Sequence, residues 1–239
     1  MFPSYYQARY VEQDGVKILF IGLDTWRLKG GDALLGHDPK TKRTWLRSHA
    51  AVRKAIEEGD IPQRVAEYLI SKYPHDPNAV ASSDEEQLKW LQTTLSHPDA
   101  QNCDWRIVTG HFPIHSATLK EHGDTPELIS QLDPILRKYN VDAYFSGHDH
   151  VLQIIKRKGA LTYYGSGAGA KRHTEMNIFY PGLKQHMASY FGFMVHELTK
   201  TTMTTTLVAS VGKDLGGEKS YYSKYIQQKV VDEVLVTES

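Results

Sequence analysis

The chain has 239 residues, 28 acidic and 28 basic side chains, and a formal net charge of zero. That length suits one domain with a sizeable core, and the charge balance points away from nucleic acid or an anionic membrane as partner. Cys103 is the sole cysteine, which excludes an internal disulfide, and no run of about 18 apolar residues occurs, which excludes a transmembrane helix. Met1 to Arg9 has neither a basic start nor an apolar core, so as written the chain has no signal peptide and would stay in the cytosol.

The first predicted element is a strand over Val16–Thr25, an almost continuous apolar run expected to be buried on both faces. Residues 27–43, with Gly30, Gly31, Gly36 and Pro39, read as a loop, and residues 45–58 as a helix with charges along one face. The stretch 59–82 is rich in Pro, Asp and Ser and reads as a surface excursion with a short helix at 63–72. Ser82-Ser83-Asp84-Glu85-Glu86 resembles a capping box. The helix it opens carries Leu88, Leu91 and Leu95 at core spacing and stops near Pro98. Trp105–Thr109 is a strand, Thr125–Asn140 a helix with Leu128, Leu132, Ile135, Leu136 and Tyr139 inward, and Val141–Ser146 another strand. Strands over 151–158, 160–164, 192–198 and 201–209 make the second half strand-rich, and residues from 213 on read as a loosely packed tail. Helices between strands, followed by consecutive strands, predict a mixed α/β sandwich.

Chemistry concentrates in two loops that directly follow strands, Gly110-His111-Phe112-Pro113 and Gly147-His148-Asp149-His150. In open α/β sheets such loops line the ligand crevice. His148 and His150, two residues apart, are spaced to aim imidazoles at two different metal ions, and Gly147 gives the turn its room. Neutral imidazole suits zinc, iron and manganese. Either loop alone is a weak signal. Two Gly-His loops, each after an apolar strand and separated by one helical segment, form a metallophosphoesterase pattern.

On these motifs the chain resembles the C-terminal part of a purple acid phosphatase, of the small tartrate-resistant type within the calcineurin-like metallophosphoesterases. The segments that match in order include Phe2-Pro3-Ser4-Tyr5-Tyr6, Phe20-Ile21-Gly22-Leu23-Asp24-Thr25, Leu88-Lys89-Trp90-Leu91 and both histidine loops. Glu121-His122-Gly123, Gly165-Ser166-Gly167-Ala168-Gly169 and Gly192-Phe193 follow the same order, so the resemblance covers residues 2–217. It implies an α/β fold, a partial four-layer αββα sandwich lacking its N-terminal strands, over residues 1–217, with 218–239 as a tail. It also implies hydrolysis of small phosphate monoesters at acidic pH, by a dinuclear centre of iron with iron, zinc or manganese. His111 and His148 would bind the divalent ion, His150 the ferric ion, and His122 would be the catalytic histidine near the phosphate and leaving group. His115, His173 and His186 receive no role and read as surface residues. Members of the family are often secreted or lysosomal.

The family pattern also calls for an Asp-x-Gly/His loop, a Gly-Asp-x-x-Tyr loop and a Gly-Asn-His-Asp/Glu loop before the Phe-Pro-Ser-Tyr-Tyr segment, which here begins at residue 2. Gly31-Asp32 is no substitute, because Leu35 stands where the tyrosine belongs; Asp32 reads as a loop residue, and Asp24 is likewise out of place. Cations of charge +2 and +3 about 4 Å apart repel by roughly 25 kcal/mol at an effective dielectric of 20. Neutral histidines do not offset that. The expectation is a chain that holds one divalent ion at most, turns over phosphate esters poorly, and self-associates through exposed sheet surface. Two other readings stay open: a non-catalytic metallophosphoesterase-like interaction protein, and a half-enzyme completed in trans by a second chain.

Overall fold

A computed structural model describes residues 6–29, 35–37, 44–46, 62–72, 85–119, 123–172, 175–210 and 220–228. The chain divides into two compact units, residues 24–90 and residues 1–23 with 91–239. The sequence reading had one body over 1–217.

The smaller unit holds α1 (Thr25–Leu28), the hairpin β3 (Leu35–His37) with β4 (Thr44–Leu46), α2 (Gln63–Lys72) and the start of α3 (Glu85–Ser96). Asp24 caps α1, its Oδ1 accepting from the Arg27 main-chain N–H at 3.1 Å. The helix expected at 63–72 is present. The loop expected over 27–43 contains β3, and the helix expected from residue 45 begins in β4; its remainder, with Asp32, lies outside the described residues. Three-residue strands carry too short a pattern to announce themselves.

The larger unit is built on a seven-stranded sheet in the order β1-β2-β5-β6-β8-β7-β9. Its strands are β1 (Gln7–Gln13), β2 (Val16–Gly22), β5 (Trp105–Thr109), β6 (Ala143–Ser146), β7 (Leu152–Lys156), β8 (Thr162–Ser166) and β9 (Leu183–Met187). β2, β5, β6, β8 and β9 share one direction, and β1 and β7 run against them. β2 alternates rather than being buried throughout: Leu19 and Ile21 are fully buried while Phe20 is 38% exposed. β1 lies beside it in an antiparallel ladder closed by Asp14-Gly15, both at positive φ (52° and 75°), the geometry that two-residue hairpins favour.

The crossover from β5 to β6 carries α5 (Pro126–Gln131) and α6 (Asp133–Lys138), after the short α4 (Pro98–Gln101). Sequence periodicity suggested one helix over 125–140. Pro134 has no N–H to continue the ladder, and the helix breaks at Leu132. The apolar face survives the break, since Leu128, Leu132 and Leu136 are all fully buried, each worth roughly 1.5–3 kcal/mol of burial.

A second sheet, β10 (Phe191–Leu198), β11 (Thr202–Ser210) and β12 (Ser220–Gln228), packs on the first. Trp105, Ile107, Ala143, Leu152, Ile154 and Tyr164 meet Met203, Leu207 and Ala209 in one core. β12 falls where a tail was expected from residue 218. Gln227 holds it in place, accepting from the Tyr164 hydroxyl at 2.8 Å and donating to the Asp142 carbonyl at 2.9 Å. The outer face of this sheet leaves Phe193, Val195 and Ile226 56%, 43% and 59% exposed. Two sheets face to face with helices in the crossover make the chain a mixed α/β fold. Among the described residues no helix is long and apolar enough to cross a membrane.

Candidate metal and phosphate site

Both histidine loops leave the carboxyl ends of adjacent parallel strands, β5 and β6, so they emerge side by side. The Gly110 N–H donates to the Phe145 carbonyl at 3.0 Å and the Gly147 N–H to the His111 carbonyl at 3.0 Å, which stitches each loop to the other. Tyr144, fully buried, donates its hydroxyl to the Phe112 carbonyl at 2.6 Å.

This brings His111 Nε2 within 3.3 Å of His148 Nδ1, with ring centroids 5.2 Å apart and planes at 76°. Phe112 packs its ring against His148 at 4.4 Å. His148 sits at φ 57°, the left-handed region that side-chain-bearing residues seldom occupy. Its neighbour Asp149 is fully buried and turned inward, its carboxylate accepting from the Ser116 hydroxyl. His150, partly buried, closes the same loop. His122 lies outside the described residues.

Two zinc–nitrogen bonds of about 2.0–2.1 Å at a tetrahedral angle put their nitrogens about 3.3 Å apart. The His111–His148 pair fits one divalent ion by that criterion. Among the described residues no three His, Cys, Asp or Glu side chains gather to hold an ion. The described residues therefore do not by themselves fit a dinuclear centre.

His115, read from the sequence as a surface residue, is 5% exposed. An apolar–polar pattern gave no hint of this, because the partners come from distant segments. Arg157 Nη1 and the Tyr180 hydroxyl lie 3.2 and 3.3 Å from its Nδ1, and Tyr163 packs edge-on at 4.9 Å. Tyr180 donates to Asp124 at 2.6 Å, and Asp124 also accepts from the Ser116 N–H at 2.9 Å. Burial alone would raise the Asp124 carboxyl; hydrogen bonds from His115, Tyr180 and Ser116 outweigh it and hold it below the usual carboxylate range. His186, by contrast, is exposed as expected, and His173 lies outside the described residues.

Residues 68–152, which include both histidine loops, match the family model described as calcineurin-like phosphoesterase. Over those residues the chain is similar to the calcineurin-like phosphoesterases. It is similar to tartrate-resistant acid phosphatase type 5 of Homo sapiens, 36% identical over 155 residues, 62% of this chain and 46% of that protein. It is also similar to purple acid phosphatase 4 of Arabidopsis thaliana, 32% identical over 162 residues, 62% of this chain and 44% of that one. The chain thus spans a little under half the length of these relatives. Among solved structures, GAP50, the anchor in the inner membrane complex of Plasmodium, superposes with a TM-score of 0.60 at 21% identity, over 96% of this chain and 56% of that one. PhoD superposes with a TM-score of 0.55 at 12% identity, over 93% and 42%. At those identities the two structures show a shared fold and nothing more.

Proposed function

We propose that this chain serves hydrolysis of phosphate monoesters of the acid phosphatase type, and that His111 and His148 together hold one divalent ion. The 3.3 Å between His111 Nε2 and His148 Nδ1 carries the reading. In the metal-free chain the two nitrogens share a hydrogen bond at this distance, and two ligands of one tetrahedral ion stand at the same separation. A divalent ion bound there would supply Lewis-acid polarisation of a phosphoryl oxygen. His150 is assigned to a second ion and His122 to the phosphate and leaving group, both by family resemblance.

The protein's own part is to hold the two imidazoles ready. The main-chain bond from Gly147 to His111 fixes the distance between loops, the Tyr144 hydroxyl fixes the turn after His111, and Phe112 shields one side of His148 from water. With two neutral ligands at the one site described, the chain as it stands is expected to load one divalent ion and to turn over slowly. Hydrolysis of para-nitrophenyl phosphate tests this. The expected result is slow turnover that requires added divalent metal and disappears in His111→Ala. Metal-independent turnover, or full activity in that variant, overturns the reading.

A further inference from the structure

We propose that Ser116, Asp149 and Gln153 form a buried clamp that positions the His148 loop for its ligand, and that Ser116 is the residue on which the clamp turns. The inference rests on the metal reading of His111 and His148 above.

The loop needs such a device. His148 stands at φ 57°, a conformation that costs a residue with a side chain on the order of 1 kcal/mol or more and persists only where its surroundings impose it. What imposes it lies on the core side, away from the imidazole. Asp149, the next residue, has no solvent exposure. Its carboxylate accepts from the Ser116 hydroxyl, so the side chain after His148 is drawn inward and His148 is left facing out. The Asp149 N–H reaches back to the Gly147 carbonyl at 2.7 Å, and its own carbonyl accepts from the Val151 N–H at 2.8 Å.

Ser116 is itself fully engaged. Its hydroxyl has two acceptors in reach, the Asp149 carboxylate and, at 3.0 Å, Thr118 Oγ1, of which the carboxylate is the stronger, while its oxygen accepts from Gln153 Nε2 at 2.7 Å and from the Thr118 N–H at 3.2 Å. Gln153, 1% exposed, accepts the Ala117 N–H on its Oε1 at 2.9 Å. One side chain on β7 thus holds both Ser116 and the chain beyond it. The Ser116 N–H donates to Asp124. The segment that leaves His111 and the segment that carries His148 are therefore joined through this buried polar cluster as well as at the imidazoles and through the main chain of the two loops.

Two glycines of the Gly165-Ser166-Gly167 run make room for it. A Cβ at Gly165 would stand 2.8 Å from Gln153 Cγ, and one at Gly167 would stand 2.2 Å from the Asp149 carbonyl oxygen. The reason for the run is the space behind the histidine loop.

The clamp residues are buried and act through the His148 loop, so they are positioning residues. Removing groups that orient a ligand typically lowers metal affinity by about 10-fold or more. The test uses the full chain with Ser116→Ala, with Gln153→Met as a second variant that keeps Asp149 and Ser116, and with Ser116→Thr to restore the hydroxyl. Zinc affinity is read by competition with a chelator, well below each variant's melting temperature. The ring resonances of His111 and His148 are read by NMR without metal. The expected result is zinc binding weakened about 10-fold in Ser116→Ala and Gln153→Met, recovered in Ser116→Thr, with broadened or doubled His148 resonances in the first two. Melting lowered with zinc affinity and His148 resonances unchanged would overturn the clamp and leave the metal reading standing. No zinc binding by the unaltered chain, with His148 resonances still disturbed in Ser116→Ala, would overturn the metal reading and leave the clamp standing.

Discussion

The hydroxyl of Tyr144, on β6, donates to the main-chain carbonyl of Phe112, the residue after His111, across 2.6 Å of fully buried space. A strand that ends in one histidine loop thereby fixes the turn of the other. Tyr144→Phe keeps the ring and deletes the bond, leaving a buried carbonyl without this donor, at a cost of about 1–3 kcal/mol. The expected outcome is a lowered melting temperature with the fold intact by circular dichroism, together with weaker zinc binding. An unchanged melting temperature would mean the bond does not contribute to holding the loop.

Gly167 backs directly onto the histidine loop. The Cβ of Gly167→Ala would lie 2.2 Å from the Asp149 carbonyl oxygen and 2.9 Å from its carbon. Main chain cannot move aside as a flexible side chain does, so this one methyl should destabilise by more than about 2 kcal/mol. Gly169, whose Cβ would meet nothing within 4 Å, is the control. Denaturant unfolding of the two variants measures the contrast, and equal midpoints would contradict it.

His196 on β10 should make the fold sensitive to acid. Burial lowers its pKa from 6.5 to about 4, and it lies among Phe145, Tyr164 and the Thr205 hydroxyl. The folded chain holds this imidazole neutral, while the unfolded chain protonates it near 6.5. Between those values the unfolded state binds more protons, so stability rises with pH across the window and is lost as pH falls from about 6.5 to 4. At about 1.4 kcal/mol per unit, the loss amounts to a few kcal/mol. His196→Phe should flatten the pH dependence of the melting temperature in that window. A slope equal to that of the unaltered chain would show that other groups govern it.

Much of this was legible from the sequence where one residue type announces itself over a run. β5, β6 and the Gly-His loops stood out because parallel buried strands are continuously apolar and because glycine marks a turn. β1 did not, since Gln7–Gln13 is a largely exposed strand held by its ladder to β2 rather than by a buried face. The break at Pro134 was hidden because Leu128, Leu132 and Leu136 keep helical spacing across it. His115, Ser116, Gln153 and Asp149 were unreadable as a group. Their roles depend on hydrogen bonds between segments 33 to 42 positions apart in the case of Ser116 with Asp149 and His115 with Arg157, and no local pattern encodes such pairings.

The measurement that bears most directly on the central claim is zinc stoichiometry and affinity in the chain as it exists, by equilibrium dialysis with metal analysis, beside His111→Ala and His148→Ala. The account predicts one ion per chain, lost in either variant while both remain folded. Binding that survives both substitutions, or no binding by the unaltered chain, would contradict it.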